Sequence, residues 1–433
     1  MSLQPTLSEA SAEFCFLLIL LVPLAGAGLA LLSCGLGRSR SAAHSMLASL
    51  CVMATAAITY VICGFRWQGA PGTADHVLLI GAKSWSWIAA SPFLLRGMPL
   101  DLSSTSLIVL LQIFSVALTA LIPLSSGSDR WRLSAMCFST VLLAGWTYPL
   151  FAHWVWGGGW LAQLGANRGL GRGFLDGGGS GAIQAVGGLT ALSVSWILGP
   201  RRGKYSADGM PAAIPGHSVV LVLLGCFFAW LGWLGLNSAG AILFAEAEPS
   251  RIVLVAVNTT LAAGASLLAT LGITRHRFGR PDASLVANGW VAGLVASSAG
   301  SAMVKPAAAM IVGLVAGTLI PFAVDLLEFR FAIDDPGGAI SVHAIAGLWG
   351  LLALGLLADV RSAASGQWLA QLIGIATLIG FVLPLSYALN WLLDRVHRQR
   401  VDDEGEQLGM DLHELGASAY PEFASHSEEF MPH

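Results

Sequence analysis

Eleven apolar stretches, each about 20 residues long, occupy most of this 433-residue sequence. That length lets an α-helix cross the hydrocarbon core of a bilayer, where backbone polar groups must be satisfied within the helix. Hydrophobic residues make up 55% of the chain and charged residues 11%, which excludes a soluble globular domain. We therefore predict an all-α integral membrane protein with eleven transmembrane helices. The predicted spans lie at about 12–34, 44–64, 102–124, 133–153, 177–199, 216–238, 252–274, 283–303, 306–326, 337–358 and 367–394.

The basic residues predict the orientation of these helices. Because eleven is odd, the termini lie on opposite sides of the membrane, and cytoplasmic loops carry the excess of Lys and Arg. Fourteen of the 22 basic residues fall on the side of the C-terminus. The first span follows Glu9 and Glu13 but no basic residue, so we expect a retained helix and not a cleaved signal peptide. We predict a multi-pass protein of the cell (inner) membrane, with the N-terminus outside and the C-terminus in the cytoplasm.

A phrase that occurs twice indicates an internal repeat. DGGGSGAIQAVGGL at Asp176–Leu189 and DPGGAISVHAIAGL at Asp335–Leu348 align without a gap. If they mark equivalent points in two halves of five spans, the second half enters the membrane inverted, as in many transporters. We therefore predict an inverted 5+5 repeat followed by a final helix. The predicted divisions are a transmembrane domain at 1–396, with halves at about 12–199 and 216–358 and a last helix at 367–394, and a cytoplasmic tail at 397–433.

The two phrases differ at their centre, where one has Gln184 and the other has His343. Each lies about 12 Å along the helix from the aspartate that opens its phrase, so both are predicted near the bilayer midplane, facing each other or water. Such residues favour a substrate path. The structural alternative is a helix pair that packs through small residues around a polar couple. Asp176 and Asp335 are expected to cap the starts of their helices.

No motif for nucleotide, nucleic-acid or metal chemistry accompanies these features. DGGGSG lacks the GK[ST] ending of a phosphate-binding loop, and the six cysteines lie in or beside apolar spans without metal-site spacing. A buried Gln and His provide no nucleophile, metal set or acid–base pair. We therefore expect no cofactor, no metal and no nucleic-acid partner, and we predict that the protein is not an enzyme.

Five segments resemble the ammonium transporter family, Amt/Mep/Rh, over essentially the whole chain. They are WTYPLFAHWVWGGGWLAQLG at Trp146–Gly165, GWLGLNSAG at Gly232–Gly240, NTTLAAGA at Asn258–Ala265, DDPGGAISVHAIAGLWG at Asp334–Gly350 and GMDLHELGASAY at Gly409–Tyr420. The resemblance implies ammonium or ammonia as substrate, a homotrimer with one narrow pore in each subunit, and the orientation predicted above.

The resemblance also implies roles for three positions that keep the family pattern. Trp156 falls on the tryptophan of an aromatic cage that recruits ammonium, and cation–π attraction is a physical reason for such a cage. Asp176 falls on an aspartate thought to stabilise this vestibule. His343 falls on the second of two hydrogen-bonded pore histidines.

Two polar positions depart from the family pattern. Gln184 stands at the first pore histidine, and a glutamine amide cannot titrate near neutral pH, whereas two histidines can pass a proton between them. Gly240 stands where a serine hydroxyl commonly completes the cage. We expect fewer partners for a cation at the vestibule and no proton relay by a histidine pair.

The gate positions depart as well. Ser115 and Leu236 stand at the two stacked phenylalanines, so the aromatic constriction is lost. Phe114, or Phe227 and Phe228, are candidates to fill the space. In the tail, Leu415–Ala417 replaces the usual His-Gly-Glu, which weakens the expectation of subunit crosstalk and of a PII-type regulatory partner without removing it.

Three functions are compatible with these observations. The first is transport of ammonium or ammonia, with conduction less tightly tied to proton transfer. The second is a poorly conducting or non-conducting ammonium sensor or regulatory member of the family. The third is a channel for another small neutral solute, such as CO2 or methylamine, because a Ser and Leu gate is roomier than two aromatic rings.

Overall fold

The computed structural model describes residues 7–358 and 366–423, which are mostly helical. In this part of the chain, ten helical segments are long and apolar enough to cross a membrane, and one further apolar helix, Ala283–Ser297, is shorter. We label them α1 Glu9–Leu36, α2 Ser39–Gln68, α3 Ser104–Gly127, α4 Leu133–Trp156, α5 Ser180–Leu198, α6 Val219–Phe244, α7 Pro249–Phe278, α8 Ala283–Ser297, α9 Pro306–Arg330, α10 Ala339–Leu357 and α11 Gln367–Val396. Arg361, counted above among the basic residues, and residues 424–433 of the predicted tail lie outside the described residues.

Helix α8 ends at Ser297, six residues before the predicted end of its span. The backbone that follows turns aside to bind the loop before α5. Gly178 N donates to Ser298 O at 2.7 Å, and Gly177 N donates to Ala299 O at 2.9 Å. The Ser180 hydroxyl also accepts from Ala299 N at 2.7 Å. These bonds satisfy backbone groups that a longer helix would have used internally.

A β-hairpin that the sequence analysis did not predict lies between α2 and α3. Strands β1 Asp75–Ile80 and β2 Lys83–Ala89 pair antiparallel. Ser86 ties the hairpin to the end of α4, since its hydroxyl lies 3.0 Å from His153 Nε2. We call this end of the helix bundle the hairpin face.

The tail packs on the opposite end, which we call the tail face. It contains the helix Asp403–Leu408 and a π-helical turn at Asp411–Leu415. The Asp411 carboxylate accepts from Ala43 N and His44 N, which lie in the second segment, α2. The tail is therefore held on its own chain by backbone as well as side-chain contacts.

Helices α1 and α6 approach closely through small residues. A Cβ on Gly28 would lie 2.6 Å from Gly225 O, and a Cβ on Gly225 would lie 2.7 Å from Gly28 O. Two backbones can come this close only where neither has a side chain, which is the usual basis of tight helix packing in membranes.

Candidate functional site

The two copies of the repeated phrase adopt the same local conformation. Each copy places a glycine with positive φ before a π-helical turn: Gly179, at φ 91°, precedes Ser180–Ala185, and Gly338, at φ 72°, precedes Ala339–Ile345. A side chain would be strained at such a φ, whereas glycine adopts it readily. Short π-helical turns of this kind occur frequently at functional sites.

An aspartate caps each of these turns, as the sequence predicted. The Asp176 carboxylate accepts from Gly179 N, Gly181 N and Ala182 N at 2.9–3.0 Å. The Asp335 carboxylate accepts from Ile340 N at 2.9 Å, and from the Ser126 hydroxyl at 2.5 Å. The carboxylates therefore satisfy backbone donors that have no partner within their helices.

Gln184 and His343 meet at the centres of the two turns, which confirms the predicted contact. His343 Nδ1 lies 2.7 Å from Gln184 Oε1. Gln184 is 0% exposed and His343 is 5% exposed. Because an amide oxygen only accepts hydrogen bonds, Nδ1 carries the proton and donates, which leaves His343 Nε2 as an acceptor. Gln184 Nε2 has no hydrogen-bond partner among the described residues.

The helices around this contact are packed through the small residues that the structural alternative requires. A Cβ on Gly188 would lie 2.3 Å from Ala344 N, and one on Gly347 would lie 2.6 Å from Ser180 O and 3.2 Å from Ala185 N. The small-residue packing and the hydrogen-bonded Gln–His pair are thus both present at this contact.

A small cavity of about 20 Å³ reaches His343. It is also lined by Asn288, and by Ser125 and Gly337 near the tail-face ends of α3 and α10. A cavity of this size holds about one water molecule. The histidine therefore borders a space that a molecule the size of water or ammonia could occupy.

A larger cavity, of about 270 Å³, lies at the hairpin face. Trp156 and Asp176 line it, together with Phe244 at the end of α6. Trp156 Nε1 donates to Asp176 O at 2.7 Å, and the Trp156 ring stacks on Phe244 with centroids 4.5 Å apart and an angle of 12° between the planes. The predicted cage tryptophan is therefore held by one hydrogen bond and one aromatic partner.

The other predicted site residues lie away from the lining of this larger cavity. Gly240 packs on the loop before α5, where a Cβ would come within 2.2 Å of Gly177 O. Ser115 is buried, and its hydroxyl donates to Leu111 O at 2.8 Å within α3. Leu236 is also buried.

The expectation that Phe227 fills the gate is wrong, because its side chain is 64% exposed on the surface of α6. Phe114 is half-buried against the core and Phe228 is half-buried on α6. At the larger cavity, the aromatic residue that stacks on Trp156 is Phe244, which the sequence did not indicate. The only sequence signal for it was its place, four residues or about one helical turn after Gly240.

Buried ion pairs hold the chain just before the second phrase. Arg201 binds Asp334 through Nε at 2.9 Å and Nη2 at 3.1 Å, and it binds Asp129 through Nη1 at 3.0 Å. Burial alone would raise the pKa of Asp334, but the charges of Arg130 and Arg201 outweigh that effect and lower it to about 2. Asp334 is therefore ionised at physiological pH and fixes the tail-face end of the loop that leads to His343.

The tail completes the tail face with a second charged cluster. Glu414 accepts from Leu133 N and lies 2.9 Å from His44 Nε2. Burial would raise the pKa of Glu414, but its hydrogen bonds to His44 and Leu133 produce a net lowering. Arg400 donates to Leu198 O and pairs with Glu406 at 2.7 Å. The tail thus contacts the ends of several transmembrane segments at once.

The geometry defines a multi-pass helical membrane protein with a cavity at the hairpin face, a smaller cavity beside His343 and a buried Gln–His contact between paired turns. A sequence profile of the Ammonium Transporter Family matches residues 13–420. The chain belongs to this family, which confirms the resemblance noted in the sequence and places it among transport proteins and not among enzymes.

Individual relatives match along most of their length. The ammonium transporter Amt2 of Archaeoglobus fulgidus is 36% identical over 435 aligned residues, which cover 96% of this chain and 89% of the relative. The ammonium transporter of Bacillus subtilis is 31% identical, with 94% and 97% covered.

Solved structures of related proteins share the fold. A protein described as a sensor Amt protein superimposes with a TM-score of 0.83 at 26% identity, covering 93% of this chain and 97% of that structure. Mep2 of Candida albicans superimposes with a TM-score of 0.80 at 25% identity, covering 98% and 93%.

Proposed function

We propose that this protein transports ammonium as neutral ammonia, along a path that leads from the hairpin-face cavity past Gln184 and His343. The observation that carries the proposal is the 2.7 Å contact between these two buried side chains, beside a cavity about the size of one water molecule. This contact keeps one imidazole nitrogen available for a hydrogen bond from the substrate. It contains no second titratable ring, so it provides no histidine pair to carry a proton.

The architecture we propose has eleven transmembrane helices, with α8 as the shorter eleventh, arranged as an inverted 5+5 repeat followed by α11. Reciprocal contacts support this symmetry. Under the repeat, α1 corresponds to α6 and α5 to α10, and Gly28 and Gly225 each approach the other's carbonyl group. Likewise, Gly188 contacts Ala344 and Gly347 contacts Ala185, which are equivalent positions of the two phrases.

In this proposal the hairpin-face cavity recruits ammonium. Trp156 presents an indole ring and Phe244 stacks on it, which provides the aromatic surface that attracts a cation. Asp176 acts by holding the backbone of the vestibule, since its carboxylate oxygens already accept three backbone hydrogen bonds. Gly240 has a packing role against Gly177, while Ser115 and Leu236 form a gate without stacked rings.

The orientation we propose places the hairpin face outside and the tail face in the cytoplasm of the cell membrane, in a homotrimer with one pore in each subunit. Residues 1–396 form the transmembrane domain and 397–433 the cytoplasmic tail. The fourteen basic residues on the tail side support this orientation. The docked tail would present its surface to a regulatory protein of the PII type.

A second candidate function is ammonium sensing with little or no conduction. Two observations favour it: the similarity to a solved sensor Amt protein, and Gln184 in place of a titratable residue. In that case, the Arg201–Asp334 contacts would transmit ammonium binding to the tail, because they join the loop before α10 to the tail face.

The test is ammonia entry into proteoliposomes that contain an internal pH dye. Wild type is expected to raise the internal pH after an ammonium pulse faster than empty liposomes do, and His343→Ala is expected to change that rate. His276→Ala is the matched control, because His276 is exposed near the end of α7 and outside the site. Equal rates in all three proteins would refute a pore role for His343, and no entry in wild type would favour the sensor. Competition by methylamine or CO2 would indicate a different neutral solute.

A further inference from the structure

An ion pair lies in the lining of the larger cavity, the one of about 270 Å³ at the hairpin face. Its members are Arg172, in the loop before α5, and Glu246, just after the end of α6. Arg172 Nη2 lies 3.5 Å from Glu246 Oε2. The two side chains are 41% and 61% exposed, whereas Trp156 and Asp176 in the same lining are buried. The pair therefore lies at the solvent end of the cavity.

Glu246 occupies a backbone position that does not suit a glutamate. Helix α6 ends at Phe244, and Glu246 follows with φ 54°, a left-handed conformation that glycine adopts more readily. The last turn of a helix also carries partial negative charge, which disfavours a carboxylate there. Local helix chemistry thus favours another residue at this position, and backbone strain of this kind is typical of functional positions.

The loop that carries Arg172 is held by α11. Gln367, at the start of that helix, accepts from Arg172 N at 2.9 Å and donates to Gly173 O at 2.8 Å. Gly171 and Gly173 have φ values of 55° and 86°, which glycine adopts without strain. A Cβ on Gly171 would lie 2.3 Å from Gln367 Oε1. The guanidinium therefore reaches Glu246 from a backbone whose position is fixed.

Glu246 is also the carboxylate of this lining that a cation can reach from solvent. The Asp176 carboxylate is buried and already accepts three backbone hydrogen bonds. An arginine guanidinium keeps its charge in proteins and only donates hydrogen bonds, and the ammonium ion likewise has N–H groups and no acceptor. The two cations therefore compete for the same carboxylate oxygens.

We propose that Arg172 is a tethered competitor of ammonium, which occupies Glu246 and thereby lowers the affinity of the hairpin-face cavity for the cation. This inference rests on the proposed function. With the pair intact, the two charges cancel, and attraction of ammonium is left to the stacked rings of Trp156 and Phe244. Without Arg172, the Glu246 carboxylate adds its own attraction. Without Glu246, the unpaired guanidinium repels the cation.

The test measures initial rates of ammonia entry over a series of ammonium concentrations, in proteoliposomes with an internal pH dye. Arg172→Gln is expected to lower the concentration for half-maximal entry at least about threefold, and Glu246→Gln to raise it by a similar factor. Maximal rates should stay within about twofold of wild type, because the pair lies at the entrance. Arg172→Lys keeps the charge, so its half-maximal concentration should also stay within about twofold of wild type.

Salt separates a charge effect from a change in loop packing. With about 1 M N-methylglucamine chloride on both sides of the membrane, screening should remove most of the difference between Arg172→Gln and wild type. Arg96→Gln is the matched control, since it removes the same charge from an exposed position between β2 and α3, and it is expected to change nothing. A half-maximal concentration that Arg172→Gln leaves unchanged or raises would overturn the inference. An effect confined to the maximal rate, or reproduced by Arg172→Lys, would overturn it as well.

If wild type admits no ammonia, the transport proposal fails and binding decides the inference. The probe is the tryptophan fluorescence of purified protein titrated with ammonium chloride, with Trp156→Leu to identify the signal from the cavity. A dissociation constant at least about threefold lower in Arg172→Gln than in wild type would support competition at Glu246. Equal dissociation constants, or no saturable response in either protein, would overturn it.

Discussion

Asp334→Asn should destabilise the folded protein strongly, although the substitution changes the size of the side chain very little. Asp334 is 2% exposed, and its two carboxylate oxygens accept three N–H groups of Arg201, at 2.9, 2.9 and 3.1 Å. An asparagine keeps one acceptor oxygen, carries no charge, and turns an NH2 group toward a guanidinium that also donates. Arg201 would then keep only the carboxylate of Asp129, and the fully buried Arg130 would lose the carboxylate that lies 3.8 Å from its Nη1.

The expected cost is about 3–5 kcal/mol of unfolding free energy, the usual range when one partner of a buried ion pair is removed. Asp325→Asn is the matched control. Asp325 pairs with Arg277 at 2.7 Å, but both side chains are about one-third exposed, so its loss should cost less than about 1 kcal/mol. Denaturant unfolding of both variants in one detergent measures the difference. Equal losses of unfolding free energy in the two variants would contradict the expectation that burial makes the Asp334–Arg201 pair more stabilising than the Asp325–Arg277 pair.

Three further predictions follow from the same contacts. Asp176→Ala should abolish ammonia entry, because it leaves three backbone donors without partners, and Asp176→Asn should retain part of the entry. Equal ammonia flux in Asp176→Ala and wild type would contradict the capping role. Phe244→Leu should raise the ammonium concentration for half-maximal flux with little change in the maximal rate, because it removes the ring stacked on Trp156. An unchanged concentration for half-maximal flux would show that Phe244 does not take part in recruiting ammonium. The part of the unfolding free energy that depends on ionised Asp334 should be fully present above pH 4. It should fall by about 2 kcal/mol as the pH drops toward 2, because the pKa of Asp334 is about 2 in the folded protein and ordinarily 3.8. Unfolding of wild type and Asp334→Asn at pH 5 and pH 3 measures this, and parallel losses in the two proteins would contradict it.

The helices were predictable because a run of about 20 apolar residues is sufficient to indicate a membrane-spanning helix. Every predicted span corresponds to a helical segment, and the family resemblance fixed the fold class. The ends were less predictable. Helix α8 stops at Ser297 because the next residues bind Gly177 and Gly178, and that partner lies more than a hundred positions earlier in the chain.

The contact between Gln184 and His343 was predictable from the repeated phrase, because equivalent positions in the inverted repeat that we propose arrive at the same depth. The capping roles of Asp176 and Asp335 were predictable from local chemistry at a helix start. The stacking of Phe244 on Trp156 was not, since it depends on the angle at which α6 passes α4. Alignment to the family also could not indicate that Phe227 points away from the core, because exposure depends on which face of α6 packs inward.

The hairpin of β1 and β2 escaped prediction for a different reason. Its first strand has the sequence DHVLLI, which lacks the alternation of apolar and polar residues by which a half-buried strand is recognised. In the structure, the side chains of this strand are exposed throughout. Contacts to the end of α4, through Ser86 and Trp87, hold it in place.

Transport of the neutral molecule is tested most directly by the current that an ammonium pulse evokes on proteoliposomes containing the purified protein, recorded beside dye-detected ammonia entry. Ammonia entry above that of empty liposomes and no current are expected, because the Gln184–His343 contact contains no histidine pair that could carry a proton. A current equal to the ammonium flux would contradict it, since charge would then cross past Gln184.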